Sequence, residues 1–254
     1  MTAGLADIKQ RITAQEEPLP EQERRGRAFV RVYAALVALA TLGFGVLVVF
    51  VRDQDAALRF DGPVAQAVQS IHAPVIRWVL IHMSDLGWSP YDVACVLLVA
   101  AALFALRLRL EALFMVVSVP LAGEIGRLAK DLVQRARPSA AFVHLAAHLT
   151  DYSFPSGHVI FATVLFGTTF WIVWIVWRSS PARNVVLVIL AALVLLMGPS
   201  RVYLGEHWPT DVIGAYCLAG LWVAGTLELL LLLKPRVSRW WQGRPHRRRW
   251  QLLA

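Results

Sequence analysis

Asn184–Leu204 reads NVVLVILAALVLLMGPSRVYL, an unbroken apolar run that closes on a single arginine, Arg201. About 18 or more apolar residues in succession read as a membrane-spanning helix. A cation at the end of such a helix is expensive unless it has a partner or a task. The run therefore decides two things together. The chain is a membrane protein, and the ends of its spans are where chemistry is to be sought.

Working outward, the same pattern recurs. Apolar runs cover about Ala28–Val51, Tyr91–Leu106, Leu110–Val133, Ser156–Trp177 and Pro209–Leu233. With Asn184–Leu204 they make six expected spans, an all-α polytopic membrane bundle. Between the first two spans, Ala65, Val68, Ile71, Val75, Trp78, Val79 and Ile81 recur at helical spacing among polar residues and Pro74. That segment, residues 52–90, predicts short amphipathic helices at the membrane interface. Three parts follow: a polar tail over 1–27, a membrane domain over 28–233, and a basic tail over 234–254.

Composition agrees with this class. The chain of 254 residues is 57% hydrophobic, and its mean hydropathy is +0.56, too apolar for an ordinary soluble domain. Its formal net charge is +8. In a soluble protein that would raise nucleic-acid binding. Here the charge lies mostly in the tails, so anionic lipid headgroups are the expected partner and nucleic acid is not. Cys95 and Cys217 both fall in apolar runs and predict free thiols. The first 27 residues lack an early apolar region, so no cleavable signal peptide is expected.

Lysine and arginine positions orient the bundle. One side collects Lys9, Arg11, Arg24, Arg25 and Arg27, then Arg107 and Arg109, then Arg178 and Arg183, then the C-terminal Lys234 to Arg249. The other side has Arg52, Arg59 and Arg77. Both termini are thus expected in the cytoplasm of a cell or inner membrane. Trp78, Trp88, Trp171, Trp174, Trp177, Trp208, Trp240 and Trp241 fall near span ends and predict interfacial anchors.

Three short segments then fall together on the extracytoplasmic side. Lys130 nears the end of the third span and Arg137 follows before Pro138, which disfavours helix at Arg137. Alone, two such cations can be boundary charges that snorkel, and Arg135 between them reads as one more. Pro155-Ser156-Gly157-His158 opens the fourth span. Ser156 is placed to cap the helix, Gly157 lets a ligand approach the backbone, and free amides at a helix start bind phosphate. His207-Trp208-Pro209-Thr210-Asp211 opens the sixth span. Its four-residue spacing lets Asp211 meet His207, which fixes the tautomer and raises the basicity of the far nitrogen. Arg201 can offer bidentate bonds to phosphate. His144 and His148 read as loop residues.

Taken together, Lys130 with Arg137-Pro138, Pro155-Ser156-Gly157-His158, and Ser200-Arg201 with His207 and Asp211 resemble the tripartite signature of the type-2 phosphatidic acid phosphatase superfamily. The signature spans 130–211, and the six-span layout extends the likeness to about 28–233. The resemblance implies a membrane lipid phosphatase. In it His207 is the nucleophile that takes the phosphoryl group, Asp211 orients it, and His158 is the general acid. Lys130, Arg137 and Arg201 bind phosphate with Ser156 and the Gly157 amide. No metal and no other cofactor is implied, and the substrate is a lipid phosphate or diphosphate. Undecaprenyl diphosphate, phosphatidylglycerophosphate and phosphatidic acid are the candidates. Two alternatives stay open at this point: a lipid phosphotransferase with the same site, and a transporter or lipid-binding protein whose charges line a pathway.

Overall fold

The computed structural model describes residues 21–241. Its helices are α1 (Glu21–Arg52), α2 (Gln54–Gln69), α3 (Pro74–Asp85), α4 (Tyr91–Ala105) and α5 (Arg109–Val133). After a long loop come α6 (Gly157–Val176), α7 (Pro181–Tyr203) and α8 (Pro209–Trp241). No strand occurs among the described residues. The chain divides into two compact units, Met1–Leu39 and Ala40–Ala254. The site and the packing around it lie in the second.

Local sequence sets the helix ends. Pro181 occupies the first position of α7, and the Ser180 hydroxyl before it accepts a bond from the Arg183 amide (3.2 Å). That is the capping expected of serine followed by proline. Pro74 likewise takes the first position of α3, after Ala73 and without a side-chain cap. At the other end of α5, Gln134 turns left-handed (φ 54°), and its amide closes on the Lys130 carbonyl. This turn carries the chain out of the helix toward the loop that holds Arg135 and Arg137.

Among the described residues five helices are long and apolar enough to cross a membrane: Tyr33–Arg52, Arg109–Val133, Gly157–Val176, Pro181–Tyr203 and Pro209–Leu233. The expected second span is different. It forms an apolar helix, Tyr91–Ala105, but only of 15 residues. At 1.5 Å per residue that reaches about 22 Å, short of the roughly 30 Å hydrocarbon thickness. The expected interfacial segment does form two short helices, α2 and α3. Two tail boundaries move. Helix α1 begins at Glu21, inside the expected polar tail, and α8 runs on to Trp241. The rest of the N-terminal tail and the basic run at 246–250 lie outside the described residues.

Helix α6 is central and packs against α5, α7 and α8. Its Val159, Ile160, Val164 and Leu165 are at most 1% exposed, with Met115 of α5, Met197 of α7, and Ala215 and Ala219 of α8 around them. The outer faces keep apolar side chains such as Leu98, Leu128, Val188 and Leu195 exposed, as lipid requires. Cys95 and Cys217 are half-buried free thiols. Within α6 the turn Thr163–Gly167 is π-helical.

At one end of this bundle four helix ends meet: the last turns of α5 and α7 and the first turns of α6 and α8. Gly205, in the turn between α7 and α8, has φ +67°, and a Cβ there would stand 2.0 Å from the His144 carbonyl oxygen. Only glycine fits that backbone so close to another. Gly205→Ala is expected to cost about 1–3 kcal/mol. In detergent this should appear as a thermal midpoint lower by about 2–10 °C, and an unchanged midpoint would refute the packing described.

Candidate active site

The three sequence segments meet where those helix ends converge. Backbone bonds join them: the Ser153 amide donates to the Arg135 carbonyl (2.8 Å), the Ser156 amide to the Asp211 carbonyl (3.3 Å), and the His207 amide to the Arg201 carbonyl (3.4 Å). The first segment is thus tied to the second, the second to the third, and the third to itself.

His207 sits at the centre, 2% exposed. Its Nδ1 lies 3.5 Å from Asp211 Oδ2. Its Nε2 lies 3.4 Å from Arg137 Nη1. A carboxylate facing Nδ1 and a guanidinium donor facing Nε2 favour the tautomer with hydrogen on Nδ1 and the lone pair on Nε2, directed toward Arg137. The contact with Asp211 does not arise from helical spacing, as the sequence suggested. His207 precedes the first helical residue, Pro209, and the 205–208 turn folds its ring back over the start of α8. Asp211 is held by more than the histidine: its Oδ2 accepts from the Trp208 amide (2.8 Å) and from the Ser153 hydroxyl.

Lys130 and Arg137 converge on one carboxylate. Lys130 Nζ meets Asp151 Oδ2 at 2.5 Å, and Arg137 Nη2 and Nε meet Oδ1 at 2.6 and 3.0 Å. Asp151 is a loop residue with its side chain 56% exposed. Burial pushes its carboxyl up, but the bond and charge of Lys130 and the charge of Arg137 outweigh that and hold it below the ordinary carboxylate range. An oxyanion therefore already lies between these two cations. Arg137 Nη1 also donates to the Glu206 carbonyl at 2.5 Å, which fixes the guanidinium beside His207.

Arg201 is fully buried. It pairs with Glu206 and donates to the Ser84 hydroxyl. Its Nε has no partner among the described residues. The same holds for His158 Nε2 and for the Ser156 hydroxyl. Ser156 thus occupies the capping position of α6 without capping it, so its hydroxyl stays available. Nothing would meet a Cβ within 4 Å at Gly157, which leaves open space over the helix start. Unsatisfied buried polar atoms are rare, and the Ser156 hydroxyl and His158 ring at an open helix N-terminus suit an anion with several oxygens.

Trp88, in the turn between α3 and α4, connects two of these groups. Its ring stands edge-on to His158 at 4.8 Å and lies 5.7 Å beneath the Arg201 guanidinium. Gly87 beside it is packed so tightly that a Cβ would come within 2.2 Å of the His158 ring. His144 and His148 face a polar groove shared with Gln66 and Gln69, away from these contacts.

Sequence reasoning missed four participants and misread two. Asp151 and Glu206 pair with the phosphate-binding candidates, Ser153 bonds Asp211, and Asp61 of α2 joins the site from a distant segment. Arg135, read as a boundary charge, is 4% exposed and bonds Asp211, Thr210 and Asp61. Trp208, read as an interfacial anchor, is 5% exposed, faces the Arg135 guanidinium and donates to the Ala136 carbonyl (3.2 Å). Arg135 sits two positions before Arg137, and that proximity was its one local signal.

Residues 110–233 match the family described as the PAP2 superfamily. Among curated proteins, the chain is similar to phosphatidylglycerophosphatase B of Bacillus subtilis, 28% identical over 62% of this chain and 77% of that protein. It is also similar to an undecaprenyl-diphosphatase of Sulfolobus acidocaldarius, 34% identical over 46% of this chain and 54% of that protein. The fold resembles the crystal structure of a transmembrane PAP2 type phosphatidylglycerolphosphate phosphatase from Bacillus subtilis. The TM-score is 0.66 at 24% identity, covering 79% of this chain and 96% of that one. Aquifex aeolicus LpxE gives 0.51 at 20% identity, covering 66% and 95%. At these identities the two structures speak to the fold. With five helices of spanning length, they make the chain a multi-pass membrane protein.

Burial pushes the His207 imidazole down to about 3, assisted by the Arg137 charge and opposed by Asp211. An unfolded histidine titrates near about 6.5. Between those values the unfolded chain binds a proton that the folded chain does not, so His207 costs stability as pH falls through that window and costs none above it. His207→Asn removes the penalty. The wild-type midpoint is therefore expected to fall relative to that of His207→Asn between about pH 7.5 and pH 5. A constant difference, read by thermal unfolding in detergent, would mean that the ring titrates in the fold as it does in the unfolded chain.

Proposed function

We propose that this chain, whose residues 110–233 form a PAP2 superfamily domain, is an integral-membrane phosphatase. It removes phosphate from a lipid phosphate or diphosphate through a phosphohistidine at His207. The observation that carries this reading is the Asp151 carboxylate held between Lys130 and Arg137, with Arg137 3.4 Å from His207 Nε2. Two cations hold an oxyanion beside a neutral imidazole whose outer nitrogen turns its lone pair toward Arg137. A substrate phosphate would displace Asp151 and bring phosphorus to that nitrogen.

The steps follow from the groups present. The His207 Nε2 lone pair attacks phosphorus, and the bond from phosphorus to the lipid oxygen breaks. His158, protonated for this step, gives its proton to the leaving oxygen. The imidazole becomes cationic as the nitrogen–phosphorus bond forms, and Asp211 stabilises the charge through Nδ1. Lys130, Arg137 and Arg201, with the Ser156 hydroxyl and the Gly157 amide, neutralise charge on the phosphoryl oxygens. Water then attacks phosphorus, loses its proton to His158, and releases phosphate with His207 restored. These cations supply charge neutralisation of the kind that a metal gives in other phosphoryl-transfer sites, so the reaction needs none.

Orientation completes the proposal. With the short α4 counted as a crossing helix, six spans put both termini on one side. The lysines and arginines of the tails and of the 107–109 and 178–183 turns favour the cytoplasm for that side. The site then opens at the extracytoplasmic interface, at the depth of a lipid headgroup. The relatives named for phosphatidylglycerophosphate and undecaprenyl diphosphate supply the substrate classes to try first.

Purified protein in excess EDTA is expected to release phosphate from at least one of undecaprenyl diphosphate, phosphatidylglycerophosphate and phosphatidic acid. His207→Ala should fold and lose about 10⁴-fold or more in turnover. Wild-type turnover by folded His207→Ala would sink the mechanism. Gly87→Ala should push the His158 ring out of place and lower kcat about 10–100-fold at similar KM, as misplacement of a catalytic group does; retained kcat would remove His158 from the acid role.

A further inference from the structure

Arg135 stands outside the motif positions that carry the family resemblance, yet it lies deeper in the site than the clamp cations on either side of it. Its Nη1 donates to Asp211 Oδ1 at 2.5 Å and to the Thr210 hydroxyl at 2.6 Å, and its Nη2 donates to Asp61 Oδ2 at 2.5 Å. Asp61 in turn accepts from the Thr210 amide (2.9 Å) and hydroxyl (2.7 Å). Arg135 is 4% exposed, and both carboxylates are fully buried. Removing one member of such a set leaves an uncompensated buried charge, so the set is costly to keep without a use.

We infer that Arg135, itself held by Asp61, is a positioning residue that fixes the Asp211 carboxylate and through it the tautomer of His207. The geometry divides the two Asp211 oxygens. Oδ1 is occupied by the guanidinium, while Oδ2 faces His207 Nδ1 and the Trp208 amide. A carboxylate gripped at one oxygen cannot rotate away from the ring. Nδ1 thus keeps its hydrogen, and Nε2 keeps the lone pair that the reaction spends. Arg135 does not face the clamp: its donors are taken by groups of α2 and α8, so it orients the nucleophile and leaves phosphate to Lys130, Arg137 and Arg201. Helix α2 enters the same chain of contacts through Asp61, which fastens this surface helix to the reacting centre. The inference rests on the reading of His207 as nucleophile.

The test compares detergent-purified full-length wild type with Arg135→Gln, Arg135→Lys, Asp61→Asn, Asp211→Asn and the double variant Arg135→Gln/Asp211→Asn. Folding is checked by gel filtration and thermal unfolding. Arg135→Gln is expected to lower kcat about 100-fold with KM little changed, a loss on the scale of groups that orient a catalytic histidine. Arg135→Lys recovers part of the loss, and Asp61→Asn loses about tenfold in the same parameter. Because Arg135 acts through Asp211, the double variant stays within about twofold of Asp211→Asn alone. Losses that multiply in the double variant would overturn the inference, and so would a raised KM at unchanged kcat, which would make Arg135 a phosphate ligand. If Arg135→Gln does not fold, Asp61→Asn decides: full kcat in that variant overturns the inference. A second readout needs no turnover. In imidazole ¹⁵N spectra of histidine-labelled protein, His207 is assigned by its loss in His207→Ala. Wild type should show the Nδ1-protonated tautomer alone, and Arg135→Gln or Asp61→Asn a mixture. Identical spectra overturn the inference. If the wild type releases no phosphate from any lipid while the spectra change as expected, the phosphatase reading fails and the positioning role stands.

Discussion

A guanidinium and two carboxylates buried together persist only as a set. The Arg135, Asp61 and Asp211 cluster is such a set, and much of the site's geometry depends on it. It locks the first turn of α8, to which His207 is joined by the 205–208 turn. It draws in the 134–137 segment, so that Arg137 follows at the height of His207 and Lys130 faces it from the end of α5. It also reaches α2, outside the region that carries the signature. Each charge is satisfied by another fixed group, so the arrangement needs no reorganisation when substrate charge arrives, the property that makes preorganised polar sites effective.

The two layers of the site differ in their exposure to solvent. The inner cluster is closed and fully paired. Lys130 and Arg137 are paired too, but with a carboxylate that can be exchanged: Asp151 is exposed on its loop and bridges them, whereas Arg201 keeps the buried Glu206. Such partially exposed pairs are worth little, so an incoming dianion competes with them at modest cost. In the proposed reaction, strong bonds hold His207 in place, and weak ones keep Lys130 and Arg137 oriented until a phosphate displaces Asp151. Trp88 belongs to the outer layer, since it touches His158 and Arg201 while presenting part of its ring to the surroundings.

What could be read from the sequence divides along the range of the interactions. The apolar runs are local signals, and α5, α7 and α8 begin within a residue or three of where the runs place them. The 91–106 run was legible as a helix, but where it stops was not, because Leu106 and Arg107, the latter at φ 64°, turn the chain while the sequence is still apolar. The segments around Lys130, His158 and His207 announced themselves because charged groups at span ends are unusual. Asp61 made no such announcement. It lies in an amphipathic helix where acidic residues are ordinary, and its partner is 74 residues away. Arg135 and Trp208 were misread for one reason: a cation or an indole at a span end normally faces the interface, and only the fold shows these two turned inward.

The π-helical turn of α6 holds one more residue than an α-helical turn between the same flanks. Elsewhere in that helix, losing one residue would rotate one half against the other by about 100°, turning either His158 or the face that packs on α7 out of place. Within 163–167 the same loss would relax the turn to ordinary helix with both flanks in register. Helix α6 therefore carries its tolerance to shortening at a single place, and the chain has a position where a one-residue deletion is silent beside others where it is ruinous.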